Sequence, residues 1–147
     1  IGEDPAFIAR NIFPIICDVA VKKNDFFQIY GNDYETDDGT PVRDYIHIMD
    51  LAEAHLEAYK ILNNNNIKKI VLNIGTGKGT SVLQLINIFE EVNKIKIPYQ
   101  FVNRRKGDQA ILIADNSLCL KFLNWSPNKN IYQMCKDGWN FKKNLTS

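Results

Sequence analysis

The 147-residue chain is expected to be an α/β protein, and three observations carry that expectation. Apolar runs of strand length alternate with segments whose apolar residues recur at helical spacing. Helix-capping residues and turn residues fall between these segments rather than inside them. A composition that is 45% hydrophobic and 11% aromatic supplies one core for one compact unit, able to bury about 65–70% of the unfolded surface.

Each element can be justified in order. "FIARNIFPIICDVAVK" (7–22) has helical apolar spacing, but Pro14 lacks an N–H and clashes with the preceding turn, so one or two helical pieces are expected. "FFQIYG" (26–31) reads as a strand. "NDYETDDGT" (32–40) reads as a hairpin or loop, with Asp38-Gly39 suited to a reversal at positive φ. Asp50 is the expected cap of "LAEAHLEAYKIL" (51–62), whose Leu51, Ala54, Leu56, Ala58, Tyr59 and Leu62 form an apolar face and which stops at "NNNN". "KKIVLNIG" (68–75) reads as a buried strand. Thr80 or Ser81 caps the helix "VLQLINIFEEV" (82–92), and "IPYQFV" (97–102) and "AILIAD" (110–115) are extended. From Ser117 to Lys143 the pattern is two helices split at "WSPN".

Charge and cysteine usage narrow the function classes. Lys plus Arg number 18 against 17 acids, so no strong field draws the chain to nucleic acid or to an anionic membrane, and any anion must be held locally. There is no charged-then-apolar leader and no apolar run approaching membrane-spanning length. Because the chain opens on Ile1 rather than Met, it is expected to be a piece of a longer polypeptide. Cys17, Cys119 and Cys135 are odd in number and lack C-x-x-C spacing, which predicts reduced, buried thiols in a cytoplasmic setting.

Several stretches imitate or carry chemistry. "LNIGTGKGTSVLQL" (72–85) places three glycines between a strand and a helix, but its G-x-G-x-G spacing is not G-x-G-x-x-G and the next strand ends without an acid. Gly77-Lys78 is followed by Gly79, which excludes the P-loop. A tight, helix-starting turn is the expectation, with backbone N–H groups that could still meet an anion. Tyr132 and Lys136 in "YQMCK" have the spacing of a catalytic Tyr-x-x-x-Lys pair, yet sit in the last helix with no cofactor loop before them. In "DDGTPVRDYIHIMD", Arg43 is either a loop guanidinium that grips phosphate in bidentate fashion or the structural partner of Asp44. His47 and His55 lack metal-ligand spacing and are expected to be packed or hydrogen-bonded. "NRRKGDQ" (103–109) puts Arg104, Arg105 and Lys106 beside Gly107 and Asp108, either a solvated face or a phosphate and sugar-hydroxyl contact.

"GEDP" (2–5), "IYGNDYETDDGTPVRDYIHIMDLAEAH" (29–55), "LNIGTGKGTSVL" (72–83), "RRKGDQA" (104–110) and the closing "LNW" and "GW" together resemble the carboxyl-terminal half of the UDP-glucose 4-epimerases, over almost the whole chain. The resemblance implies the smaller, substrate-binding part of an extended short-chain dehydrogenase of Rossmann type: a small mixed sheet with helices, covering residues 1–147. The amino-terminal domain that holds NAD and carries the catalytic Tyr and Lys is then absent from this chain, which has no catalytic residue of its own. The reaction implied is interconversion of UDP-galactose and UDP-glucose by NAD-mediated transient oxidation at C4. The implied substrate contacts are Asn11 and Ile12 near the diphosphate, Gln28, Ile29 and Tyr30 along the uracil, Arg43 and Arg105 clamping the diphosphate, and Asp108 accepting from the ribose hydroxyls. Leu112 stands where relatives carry a Tyr or Cys beside the hexose, which leaves tolerance for N-acetylated sugars open, and Arg10 replaces an Asn found in some relatives. The resemblance also leaves room for a homodimer of the complete enzyme. The rival readings are another NAD-dependent nucleotide-sugar epimerase, dehydratase or decarboxylase, or a non-catalytic UDP-sugar-binding module; the "QIYG" and "NDYETDDGT" stretches favour the epimerase.

Overall fold

A computed structural model describes residues 3, 9–64 and 69–146. Helix α1 (Ile12–Ala20) leads into strand β1 (Phe27–Tyr30); after a long loop come β2 (Val42–Arg43) and α2 (Ile48–Asn64). The second half runs β3 (Thr80–Ser81), α3 (Val82–Asn93), β4 (Tyr99–Val102), β5 (Ile111–Leu112), α4 (Ser117–Phe122) and α5 (Ile131–Thr146). β1 and β4 pair in parallel, and β2 is the centre of a second sheet, antiparallel to β3 and parallel to β5 with Arg43 opposite Leu112. The α/β expectation holds, with two small sheets in place of one.

The main core lies where α1, α3 and α5 close over β1. Ile16, Val19, Ile29, Leu85, Ile86 and Phe89 are buried there, each contributing roughly 1.5–3 kcal/mol by leaving water. Trp139 of α5 meets Phe89 edge to face at 6.2 Å between ring centroids. Pro14 does not kink α1: it falls in the first turn, where its missing N–H has no intrahelical partner to lose. Cys17, Cys119 and Cys135 are buried free thiols, as the composition implied, and desolvation pushes Cys17 and Cys135 up to about 12.

Ser81 caps α3 with a full capping box: its hydroxyl accepts from Gln84 N at 3.0 Å, while the Gln84 side chain accepts from Ser81 N at 3.0 Å. The same hydroxyl donates to Asp38, whose carboxylate also accepts from Thr40 N and Thr40 Oγ1. Burial of Asp38 works against its charge, but the hydrogen bonds from Ser81 and Thr40 outweigh it and hold its carboxyl below the usual range. The 31–41 segment is therefore an ordered loop rather than a hairpin, tied to the start of α3. Gly39 turns it at φ 76°, where an added Cβ would lie 2.3 Å from the Asn32 carbonyl oxygen. Gly39→Ala is expected to lower stability by about 2 kcal/mol or more, read as a shift of the denaturation midpoint in urea; an unchanged midpoint contradicts the tight turn.

Three expectations are corrected. Asp50 is not the cap of α2. The helix begins earlier, and His47 takes that role by accepting from Met49 N through Nδ1 at 3.1 Å while Nε2 meets Asp137 Oδ2 at 3.2 Å. Asp50 is instead fully buried and accepts the N–H groups of Asn128 and Lys129, fixing the turn between α4 and α5. The α2 face is buried only in part: Ala54 is inaccessible, whereas Leu56, Tyr59 and Leu62 are exposed. Finally, the described part of 68–75 forms no strand ladder, and Val71 is 74% exposed, because no described strand lies beside it.

Candidate functional site

Parallel strands β1 and β4 end on the same side, and a cleft of about 600 Å³ runs along β1, from residues 23–26 before it to Tyr30 at its carboxyl end and the loop after β4. Its walls bring together seven of the nine residues singled out above: Ile12 from α1, Gln28, Ile29 and Tyr30 from β1, Arg43 from β2, and Arg105 and Asp108 from the loop after β4. Asn11 lies at the rim as the cap residue of α1, with its side-chain amide donating to Glu3 Oε2 at 2.9 Å rather than capping the helix. Leu112 does not line the cleft; it stands on β5 opposite Arg43, exposed.

The loop after β4 is held by the first of its two arginines. Arg104 donates through Nε to Asp33 Oδ1 at 2.6 Å and through Nη2 to the Asp33 carbonyl, and its guanidinium lies 4.0 Å over the ring of the buried Tyr34. The hydrogen bond to Arg104 holds the Asp33 carboxyl below its usual range. Gly31 permits this approach, since a Cβ there would come within 2.7 Å of both Tyr34 and Arg104 side chains. With Arg104 anchored outside, Arg105 faces the cleft, its guanidinium 3.7 Å over the Tyr30 ring, while Tyr30 donates its phenol proton to Gln28 Oε1 at 2.9 Å.

Arg43 is oriented by the sheet that carries it. Its Nη1 donates to the carbonyls of Val42 and Gln109 at 2.8 and 2.9 Å, and Nη2 lies 4.0 Å from Asp108 Oδ1. The guanidinium is thus pre-set, with remaining N–H groups to offer an anion. The alternative pairing of Arg43 with Asp44 is not what forms. The Asp44 carboxylate turns the other way, into the glycine loop, where it accepts from Thr76 N at 3.0 Å, Thr76 Oγ1 at 2.5 Å, Gly77 N at 2.9 Å and, from the strand side, Ala114 N at 3.3 Å.

The glycine loop therefore holds an anion of its own. Gly75 has no room for a Cβ, which would sit 2.6 Å from Asp44 Oδ2, and a phosphate placed there would face a carboxylate. This turn does not fit the diphosphate of a dinucleotide. Tyr132 and Lys136 are exposed on α5 and belong to an amphipathic closing helix. His47 is a capping residue, and among the described residues His55 meets the Leu51 carbonyl on its own helix, at 2.7 Å.

Two guanidiniums, a carboxylate and a phenol ring gathered on one cleft of an α/β unit are a set of groups suited to receive an anion. The family model described as GDP-mannose 4,6 dehydratase matches residues 2–138, and the chain belongs to that family. It is 47% identical over 97% of its length to UDP-glucose 4-epimerase of Pasteurella multocida, of which it covers 42%. Among solved structures, it matches UDP-glucose 4-epimerase from Stenotrophomonas maltophila with bound NAD and formylated UDP-arabinopyranose at a TM-score of 0.95 and 42% identity, covering 99% of this chain and 43% of that one. UDP-glucose 4-epimerase from Bifidobacterium longum in complex with NAD+ and UDP matches at 0.89 and 40% identity, with the same coverages. The chain thus spans about two fifths of the length of the relatives it matches.

Arg10, Lys23 and Asp25 also line the cleft and were not assigned to it from sequence. Arg10 alone had a signal, its position one residue before Asn11.

Proposed function

We propose that this chain is the carboxyl-terminal, UDP-sugar-binding part of a UDP-glucose 4-epimerase, acting within a longer protein that interconverts UDP-galactose and UDP-glucose. The observation that carries this reading is the convergence of Tyr30, Arg43, Arg105 and Asp108 on one cleft. Arg43 and Arg105 hold the diphosphate, each fork matching a pair of phosphate oxygens; Asp108 accepts from ribose hydroxyls; Gln28, Ile29 and Tyr30 line the base, and Asn11 and Ile12 border the diphosphate. Leu112 borders the hexose, where its size sets the room available.

NAD and the catalytic Tyr and Lys belong, on this reading, to an amino-terminal domain outside the chain. Two observations support it. The glycine loop is filled by Asp44. Large apolar side chains on α2, at Val71 and along Ile111–Ile113 lie exposed, as expected of a surface that packs against another domain. The same reading assigns any homodimer contact to that domain, and the three buried, unpaired thiols suit a cytoplasmic setting. Among the described residues, no helix is long and apolar enough to cross a membrane.

The test compares two samples given NAD and UDP-galactose. The complete protein is expected to form UDP-glucose, and the 147-residue chain alone to form none. Sustained turnover by the chain alone contradicts the division of labour, and no conversion by the complete protein contradicts the assignment.

A further inference from the structure

We propose that Arg10 is a third guanidinium contact for the diphosphate held by Arg43 and Arg105, a contact peculiar to chains with a cation at this position. The inference rests on the UDP-sugar reading of the cleft and deepens it.

Arg10 lines the main cleft together with Arg43 and Arg105, and it shares with Arg105 and Tyr30 a second recess of about 520 Å³ beside it. Four cations face the main cleft, Arg10, Lys23, Arg43 and Arg105, against two carboxylates, Asp25 and Asp108. Three of the four have a preference already expressed: Lys23 lies 3.4 Å from Asp18, Arg43 is hydrogen-bonded and near Asp108, and Arg105 lies on Tyr30. Arg10 has no hydrogen bond, ion pair or ring contact with any described residue, and it is exposed.

Its backbone position gives that charge, unpartnered among the described residues, a direction. Arg10 precedes Asn11, the cap residue of the nine-residue helix α1, whose side chain makes no capping hydrogen bond. The positive end of α1 therefore begins one residue after Arg10, and Arg10 and Ile12, the first residue of that helix, line the same cleft. Four cations against two carboxylates leave an excess of positive charge, which a ligand carrying more than one negative charge relieves, and a nucleoside diphosphate brings that charge to this wall of the cleft.

The probe is UDP, with uridine as the uncharged control, titrated calorimetrically into the complete protein carrying Arg10→Gln, Arg10→Lys or Arg105→Gln. Arg10→Gln is expected to raise the Kd for UDP about 5- to 15-fold, to leave uridine binding unchanged and to make UDP binding less sensitive to salt, while Arg10→Lys keeps part of the affinity. The side chain is exposed and has no partner among the described residues, so the variant is expected to fold. Wild-type UDP affinity in Arg10→Gln, with a loss in Arg105→Gln, overturns the role of Arg10 and leaves the cleft assignment standing. Equal losses for UDP and uridine overturn it as well, by exposing a structural effect. Wild-type affinity in both Arg10→Gln and Arg105→Gln overturns the diphosphate site itself.

Discussion

Arg105→Ala in the complete protein is expected to raise the KM for the UDP-sugar about 30- to 150-fold, with kcat changed far less and NAD retention unchanged. The magnitude follows from losing one charge-assisted, largely desolvated contact, worth ~2–3 kcal/mol. The split follows from where the contact is made: the diphosphate carries the same charge in substrate and transition state, so its loss removes uniform binding rather than catalytic stabilisation. Arg105 is a cleaner probe than Arg43. Its side chain has no hydrogen bond or ion pair with a described residue and only stacks on Tyr30, so its removal disturbs little of the fold. Arg43, by contrast, also ties β2 to the Gln109 carbonyl ahead of β5, and truncating it mixes binding with stability. Steady-state kinetics at fixed ionic strength decide the matter, and an unchanged KM removes Arg105 from the diphosphate site.

Which features were legible in the sequence depends on the range of the interactions that make them. Ser81 with Gln84 three residues later announces a capped helix, and the box forms, because both partners lie on one turn. The break at "WSPN" separates α4 from α5 for the same local reason, and Gly39 takes the positive φ that Asp38-Gly39 suggested. Family motifs carried the site further than spacing could, since the "GTPVRDYIH" and "RRKGD" stretches lie far apart in the chain and only the fold brings Arg43 within 4.0 Å of Asp108. Long-range partners defeated the reading of individual side chains. Asp50 looked like a cap, yet its acceptors serve N–H groups 78 and 79 residues away. The strand expected at 68–75 and the apolar face of α2 were read from hydrophobicity, which records that a surface is to be covered and not what covers it. Arg104 and Arg105 are adjacent and chemically alike; only the three-dimensional position of Tyr34 and Asp33 separates the anchor from the cleft-facing residue.

The second large effect is expected at Asp44, and it concerns the glycine loop. Asp44→Ala should destabilise the protein by about 2–4 kcal/mol, because the half-buried N–H groups of Thr76 and Ala114 and the exposed N–H of Gly77 lose a charged acceptor at once, and water reaches only part of the space left behind. Asp44→Asn should recover little of this. One side-chain oxygen can still accept from Thr76, but the amide nitrogen then points a donor at the Gly77 and Ala114 N–H groups. Urea denaturation of the three proteins gives the comparison, and an asparagine variant as stable as wild type would show that the charge is dispensable. Binding should follow stability, since Asp44 adjoins Arg43 and links its strand to the loop before β3 and to the residue after Ile113, so a loosened β2 leaves the Arg43 fork free to miss the diphosphate. A glycine-rich turn ahead of a helix is thereby explained without any bound nucleotide: its N–H groups are directed at an anion, and the chain supplies that anion from 32 residues upstream.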